Sequence, residues 1–150
     1  MPDLDQLRTS PVWTWLELQV VEAADGRSVV TLPVREHYLQ AYGHVHGGLL
    51  TTLLDAAMGA ALASATPVSS TNVTTNLAVH YLAPASAKFA GQQLRGEGSV
   101  LKVGKHIAFL SAVVRDPEDT LLATATGQFS VRRVPDAAPS PPVSEPTPPP

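Results

Sequence analysis

The sequence predicts an α+β domain in which one long buried helix lies on one face of a curved antiparallel sheet of about six strands. An apolar run without proline at residues 48–63 predicts the helix. Two segments before this run and four after it are typical of strands, and glycine, proline or aspartate separates them. Strands that are segregated from a single helix indicate this architecture.

Composition limits the classes of function. A chain of 150 residues with 44% apolar content is long enough for one domain with a buried core. The net charge is −3 and the basic residues are scattered, so no nucleic-acid partner is predicted. The absence of cysteine excludes disulfides, thiolate nucleophiles and cysteine-based zinc sites. The N-terminus shows no export signal, so we expect a soluble, cytoplasmic protein that does not enter a membrane.

The N-terminal part is expected to form a short helix and a hairpin. Residues 3–9 favour a helix that is stopped by Pro11. Residues 12–22 are mostly Trp, Val, Leu and Thr, and residues 27–34 alternate in a similar way, so both segments are predicted strands. Asp25-Gly26 between them is a strong hairpin turn signal.

The central helix is expected to begin at the glycine pair 47–48 and to end before Pro67. Between residues 48 and 63, Thr51 and Thr52 are the only β-branched residues. Apolar side chains cover every face of this run, which is typical of a helix buried all round. The run is too short to span a bilayer, so we interpret it as a core helix.

Four strands are predicted after the helix, at residues 73–82, 92–102, 106–115 and 121–131. They are linked by Val103-Gly104 and by a turn at residues 116–119. In the first of them, period-two alternation places Leu77, Val79 and Tyr81 on one face and Thr74, Asn76, Ala78 and His80 on the other.

The C-terminal residues 135–150 contain eight of the fourteen prolines and no basic residue. Such a segment cannot bury enough apolar area to offset the entropy of ordering it. We therefore predict a folded domain at residues 1–134 and a disordered or polyproline-like tail at residues 135–150. Docking of the tail on an SH3-like domain is the alternative.

Asp55 is the first candidate for catalysis, because it is the one charged residue in the apolar helix. A carboxylate in apolar surroundings suits a general base that acts on water. The alternative is a buried hydrogen-bond acceptor with a structural role.

Gly47 and Gly48 are the second candidate. Amides at a helix N-terminus have no intrahelical acceptor, and the helix dipole favours a developing negative charge; the alternative is that the glycines only permit tight packing. Eight residues separate Gly47 from Asp55, about 12 Å along a helix, so one chain cannot bring both to the same carbonyl group. Two antiparallel helices at a two-fold axis would bring Gly47 of one chain near Asp55 of the other, which predicts a homodimer with two equivalent sites.

Other catalytic and metal-binding patterns are weak. There is no G-x-S-x-G elbow, P-loop or dinucleotide fingerprint in the sequence. His37, His44 and His46 are not joined by a carboxylate at ligand spacing, so no metal site is predicted. His80 and His106 lie in strand patterns and are expected to be sheet residues.

The arrangement resembles the hotdog-fold acyl-CoA thioesterases of the PaaI and hydroxybenzoyl-CoA thioesterase group. The resemblance is carried by Gln40, by His-Gly-Gly at 46–48, by Asp55 and by the strand TTNLAVHYLAPA at 74–85, and it covers residues 12–132. It implies the hotdog fold, an acyl-CoA substrate, and hydrolysis of an acyl- or aryl-CoA to the free acid and CoA without a metal or organic cofactor. It also implies sites formed by two subunits, with the pairing of dimers into tetramers left open.

The resemblance implies a role for each matching residue. Gly47 would donate its backbone N–H to the thioester carbonyl, and Asp55 of the partner chain would activate water or attack as the nucleophile. Gln40 would place its side-chain amide beside the carbonyl or the water. His46 would steady the loop and the thiolate leaving group, and Thr74 would orient the water.

Two departures from the family leave the subgroup open. Family members tend to combine Asn with Asp or Gln with Glu, whereas this chain combines Gln40 with Asp55. Gly59, one helical turn after Asp55, lacks the hydroxyl that the Gln-and-Glu members often carry there. Water orientation would then depend more strongly on Thr74.

The CoA phosphates would bind near Lys102, Gly104 and Lys105, with solvated surface lysines as the alternative. Two other functions stay open, a non-catalytic acyl-CoA-binding module on the same fold and a hotdog enoyl-CoA hydratase. Retention of Gln40 and Asp55 argues against the first. The lack of an Asp-x-x-x-x-His run argues against the second.

Overall fold

The computed structural model describes residues 7, 9–67 and 70–133. The predicted tail at 135–150, its boundary at 134 and most of the predicted helix at 3–9 lie outside the described residues. The helices are α1 (Pro11–Trp15) and α2 (Gly47–Ala65), and the strands are β1 (Gln19–Ala24), β2 (Arg27–Pro33), β3 (Ser70–Tyr81), β4 (Gln93–Val103), β5 (Ile107–Arg115) and β6 (Leu121–Arg133).

These strands form one sheet in the order β1-β2-β4-β5-β6-β3, with every neighbouring pair antiparallel. The α2 helix contacts all six strands. The predicted fold class is confirmed, because a single long helix lies in a curved antiparallel sheet. β1 and β3 are the two edge strands of the sheet.

The α2 helix begins at Gly47, as predicted, and ends at Ala65, just before Thr66 and Pro67. The argument from its short length was wrong, because its 19 residues are long and apolar enough to cross a membrane by length and composition alone. Packing identifies it as a core helix instead. Leu53, Leu54, Ala57, Met58, Ala60, Ala61 and Leu62 are completely buried.

The expectation that α2 is buried all round was also wrong. Thr52, Asp55, Gly59 and Ala63 are only half-buried, and their spacing of three or four residues places them on one face of the helix. We call these four residues the open stripe. Asp55 therefore lies at the surface of the single chain and not in its core.

The predicted strand at residues 12–22 is wrong in its first half. Residues 11–15 form α1, with Pro11 at the helix start, where its fixed φ and missing N–H are tolerated. Trp13 and Leu16 are buried against the core. The hairpin turn is confirmed, since Asp25 and Gly26 have φ values of 49° and 76° and connect β1 to the first residue of β2.

A β-bulge in β3 changes which side chains face the helix. The register with β6 shifts between Thr74 and Asn76, so Thr75 is an extra residue in the strand. Thr74 is half-buried on the same face as Leu77 and Val79, and Thr75 and Asn76 are exposed. The predicted strict alternation, which placed Thr74 on the opposite face from Leu77, is corrected by this insertion.

Candidate functional site

The N-terminus of α2 presents one free backbone amide. The imidazole Nδ1 of His46, the N-cap residue, accepts a hydrogen bond from the Gly48 N–H at 3.0 Å. The Gly47 N–H has no acceptor among the residues that the structure describes. Of the two glycine amides considered in the sequence, only that of Gly47 is therefore available to a ligand.

Two hydroxyl groups lie within hydrogen-bond distance of the Gly47 carbonyl oxygen. The Tyr81 hydroxyl donates to it at 3.0 Å, and Thr51 Oγ1 lies 3.2 Å from the same oxygen. The two hydroxyl oxygens are 2.5 Å apart. Strand β3 and the first turn of α2 are thus joined at the residue that carries the free amide.

A pocket of about 350 Å³ lies beside Gly47. It is lined by Gln40, His44, Val45, Gly47, Leu50, Tyr81, Leu82, Ala83, Pro84 and Ala85, and we call it the glycine pocket. Its walls are mainly apolar. It has a suitable composition for an acyl group whose polar end meets a few fixed hydrogen-bonding groups.

Gln40 is fixed at the mouth of the glycine pocket. Its side-chain Oε1 accepts a hydrogen bond from the Tyr42 N–H, and its backbone N–H donates to the His44 carbonyl at 2.8 Å. Because a backbone N–H can only donate, the side-chain atom that faces it must be the oxygen. The NH₂ group of Gln40 therefore remains as a donor, in agreement with a position beside a carbonyl.

Asp55 and Thr74 form the second part of the candidate site. The Thr74 hydroxyl donates to Asp55 Oδ1 at 2.8 Å, and the bulge at Thr75 is what turns Thr74 toward the helix. Within the described residues, Asp55 is not part of any ion pair. One carboxylate oxygen is thus oriented by a hydroxyl, and the other is not engaged by a cation.

The single chain does not bring these two parts together. Gly47 and Asp55 lie on the same helix, eight residues and about 12 Å apart. Gln40 and Gly47 line the glycine pocket, whereas Asp55 and Thr74 do not. In one chain the two groups of residues therefore lie at separate places.

Only two of the three residues considered for CoA binding lie at the same pocket. Gly104 and Lys105 line a pocket of about 730 Å³ at the C-terminal end of α2, next to Ala65. Lys102 is not among its lining residues; it pairs with Phe109 after a register shift in β4 and is exposed.

Two further basic residues at this pocket were missed by the sequence reasoning. His106 and Arg132 line it together with Lys105. The predicted strand began at His106, but β5 begins at Ile107, so His106 lies just before the strand. Arg132 lies near the end of β6, and no local motif distinguishes it from a surface arginine.

The described residues contain no group of three or more His, Cys, Asp or Glu side chains that could hold a metal ion. His46 caps α2, and His44 lines the glycine pocket with its Nδ1 atom buried and without a partner in the described residues. The absence of a cofactor stays a prediction.

Comparisons with known proteins agree with the fold and identify the family. A family model for the thioesterase superfamily matches residues 42–123, a range that includes Gly47, Asp55 and Thr74. A protein of Halobacterium salinarum named as a putative esterase is 33% identical in an alignment of 131 residues that covers 80% of this chain and 83% of the relative. Human acyl-coenzyme A thioesterase 13 is 33% identical over 95 residues, 63% of this chain and 65% of that protein.

Two solved structures are similar over most of the chain. A mutant of the phenylacetic acid degradation protein PaaI from Thermus thermophilus is 27% identical, with a TM-score of 0.71 over 81% of this chain and 98% of that one. A Streptococcus mutans protein bound to acetyl CoA is 25% identical, with a TM-score of 0.69 over 78% and 90% of the two chains. The chain therefore belongs to the thioesterase superfamily, as a hotdog-fold member of the PaaI-like group.

Proposed function

We propose that this protein hydrolyses an acyl- or aryl-CoA thioester to the free acid and CoA, at sites that two chains form together. The proposal is carried by the presence of two complementary groups at separate places in the chain. Hydrogen-bond donors that suit a carbonyl lie at Gly47, and a carboxylate oriented by a hydroxyl lies at Asp55. The activity named for human acyl-coenzyme A thioesterase 13 and the acetyl CoA bound by the Streptococcus mutans protein support CoA as the carrier.

The Gly47 N–H and the Gln40 NH₂ group bind the thioester carbonyl oxygen. Both donors lie at the glycine pocket, and the Tyr42 N–H fixes the direction of the Gln40 amide. Negative charge develops on the carbonyl oxygen as the carbon becomes tetrahedral. Preorganised donors stabilise this charge more strongly in the transition state than in the bound substrate.

Asp55 of the other chain supplies the attack on the carbonyl carbon, either by taking a proton from water or as the nucleophile. Thr74 holds Oδ1, which leaves Oδ2 to face the reacting group. A lone pair of the Thr74 oxygen also remains to accept a hydrogen bond from the attacking water. If Asp55 acts as the base, it passes the proton taken from water to the sulfur as the bond from carbonyl carbon to sulfur breaks, which gives the free acid and the CoA thiol. If Asp55 is the nucleophile, this bond breaks to release a CoA thiolate that takes a proton from solvent, and water then hydrolyses the acyl–aspartyl anhydride to the free acid.

Gly47 and Asp55 are too far apart on one helix to act on the same carbonyl group, but two antiparallel α2 helices related by a two-fold axis would bring them together. This arrangement brings Gly47 of one chain next to Asp55 of the other and creates two identical sites. The open stripe is the face of α2 that is left uncovered by the chain itself. At Gly59 on this stripe, an added Cβ would meet no atom of the chain within 4 Å, so another helix can approach closely.

The nucleotide end of CoA is assigned to the pocket of about 730 Å³. Lys105 and Arg132 are the positively charged groups there and can bind phosphate. Gly104 lines the pocket, but its N–H donates to the Ile107 carbonyl at 2.9 Å and is not free for a phosphate. The pocket begins at Ala65, ten residues or about 15 Å beyond Asp55 along α2. Such a distance leaves room for the pantetheine arm between the phosphates and the thioester.

The test is thiol release from a panel of aliphatic, phenylacetyl and hydroxybenzoyl CoA thioesters. We expect the wild type to hydrolyse some of them and Asp55→Asn to lose about 10²-fold or more in kcat, because the amide cannot act as a base. Asp25→Asn is the matched control, since Asp25 is exposed in the hairpin turn and its positive φ suits asparagine.

Each alternative function gives a different product. A hydroxyacyl-CoA from an enoyl-CoA would identify a hydratase, and saturable binding of acyl-CoA without thiol release would identify a binding module. Near-normal turnover by Asp55→Asn would exclude the carboxylate from the reaction, even if the wild type is a thioesterase.

A further inference from the structure

We propose that Tyr81 is a positioning residue that fixes the direction of the Gly47 amide through hydrogen bonds on the Gly47 carbonyl. The inference rests on the proposed function, because it assigns Gly47 the role of polarising the thioester. All of the groups involved belong to one chain, so the network exists before a partner or a substrate binds.

The network contains three oxygen atoms and two hydroxyl hydrogens. The Gly47 carbonyl lies 3.0 Å from the Tyr81 hydroxyl and 3.2 Å from Thr51 Oγ1, and the hydroxyls lie 2.5 Å from each other. A carbonyl only accepts, so at least one hydroxyl must donate to it. If either hydroxyl is removed, the other can still donate to the carbonyl.

The peptide group between Gly47 and Gly48 is consequently held at both ends. Its C=O accepts from Tyr81 or Thr51, and its N–H donates to His46 Nδ1 at 3.0 Å. Glycine has no side chain that restricts its backbone dihedrals, so an unanchored glycine pair would rotate more freely than any other dipeptide. The Gly47 N–H belongs to the preceding peptide group, whose carbonyl, that of His46, accepts a hydrogen bond from the helix backbone at 2.9 Å. With an anchored peptide group on each side, rotation at Gly47 is limited and its N–H keeps one direction.

The Tyr81 ring also covers the face of Gly47. A Cβ placed on Gly47 would lie 3.4 Å from two ring carbons, which is an ordinary van der Waals contact. The ring is 54% exposed and forms part of the glycine pocket. Its hydroxyl is therefore presented to the Gly47 carbonyl by packing that involves no strain.

Positioning of this kind affects the transition state more than substrate binding. An oxyanion donor is effective only when it points at the site where the charge develops, and small misplacements strongly reduce the rate. Loss of the network is therefore expected to lower kcat while KM changes little. A residue that only stabilises the fold would lower the melting temperature instead.

The experiment compares Tyr81→Phe, Thr51→Val and the double variant with wild type in the thiol-release assay. Each single variant should lose several-fold in kcat, because the remaining hydroxyl still reaches the carbonyl. The double variant should lose about 10²-fold, more than the product of the single losses. Thr71→Val is the matched control, since Thr71 is exposed on β3 and its hydroxyl makes no hydrogen bond in the described residues.

Three outcomes would overturn the proposal. An unchanged kcat in the double variant would show that the network is not needed. A raised KM, or an altered preference among acyl groups in Tyr81→Phe, would show that Tyr81 contacts the substrate itself. A fall in melting temperature that accounts for the lost activity would show a structural role.

A spectroscopic measurement tests the positioning independently of turnover. The amide nitrogen of Gly48 is bonded to the Gly47 carbonyl carbon, so its ¹⁵N chemical shift responds to hydrogen bonds on that carbonyl. We expect the Gly48 signal to move in the double variant and to stay in place in Thr71→Val. If the wild type releases no thiol, the proposed function fails, and this shift alone decides whether the network holds the peptide; an unmoved signal would refute it.

Discussion

The Thr74 hydroxyl is the direct partner of the Asp55 carboxylate. An ionised carboxylate can only accept, so the 2.8 Å contact has Thr74 as donor and Asp55 Oδ1 as acceptor. This bond fixes the rotation of the carboxylate group. It also means that the geometry of the base depends on a residue nineteen positions further along the chain.

Replacement of this hydroxyl tests its contribution. Thr74→Val keeps the shape of the side chain but removes the donor, so we expect kcat to fall by up to about 10²-fold as the carboxylate loses its orientation. Thr74→Ser should recover most of the activity, because it restores the hydroxyl. Full activity in Thr74→Val would show that Asp55 is oriented in another way, and Thr71→Val on the exposed face of β3 serves as the control.

The candidate residues differ in how far the sequence could reveal them. Asp55 and Gly47 are visible from residue type alone, as a charge in an apolar run and as a glycine at a helix start. Thr74 is named only through the family resemblance, as a hydroxyl that orients the water and not as a partner of Asp55. Strict alternation places it on the wrong face, because a bulge leaves no local signal. In the sequence, Tyr81 is indistinguishable from any other aromatic residue in a strand. Its hydroxyl contacts the Gly47 carbonyl only because α2 begins next to it in the folded chain.

At the scale of elements, close contact between α2 and the sheet depends on glycines in β4. The Ala57 carbonyl accepts a hydrogen bond from Ser28 Oγ at 2.7 Å and lies where a side chain at position 98 would be. A Cβ on Gly98 would come within 2.3 Å of this carbonyl oxygen. The helix can therefore lie this near to the sheet only if residue 98 has no side chain.

We expect Gly98→Ala to destabilise the protein by about 1–3 kcal/mol, because the backbone of α2 must shift to accept the methyl group. Chemical denaturation measures this difference. The same substitution at Gly59 meets no atom of its own chain within 4 Å and replaces a glycine inside a helix, so it should stabilise the isolated fold by up to about 1 kcal/mol. An unchanged midpoint for Gly98→Ala would show that the helix has room to move.

Five of the six predicted strands and the central helix are placed correctly by periodicity and turn residues, and the first strand is placed correctly in its second half. The error at residues 11–15 has a tertiary cause. A short run of Val, Trp and Thr fits a strand as well as a helical turn, and burial of Trp13 and Leu16 against the core decides between them. The open stripe could not be predicted either, since Gly59 and Ala63 fit a fully buried helix face as well as a partly exposed one.

For the whole molecule, the proposed shared site makes a quantitative prediction about mixed dimers. Asp55→Asn and Gln40→Ala are each expected to be impaired in both sites of their own homodimers. A heterodimer of the two variants has one site with Gln40 and Asp55 both intact and one site with both replaced. Random mixing should then restore about a quarter of wild-type activity, because half of the dimers are mixed and each has one good site.

This experiment requires co-expression or joint refolding, followed by the thiol-release assay. Two copies of Asp55→Asn, refolded in the same way, are the control and should stay inactive. If each chain had a complete site, mixing would give only the average of the two variants. Activity that does not exceed this average would therefore contradict the shared site, even if both residues are needed.

The bulge at Thr75 divides β3 into two stretches that serve different neighbours. The stretch before it brings Thr74 to Asp55, and the stretch after it brings Tyr81 to Gly47. Deletion of one residue at this point would restore strict alternation along β3. Thr74 would then point away from the helix while Tyr81 stayed in place. The number of residues between Thr74 and Tyr81 is thus a structural requirement of its own, separate from the identity of any catalytic residue.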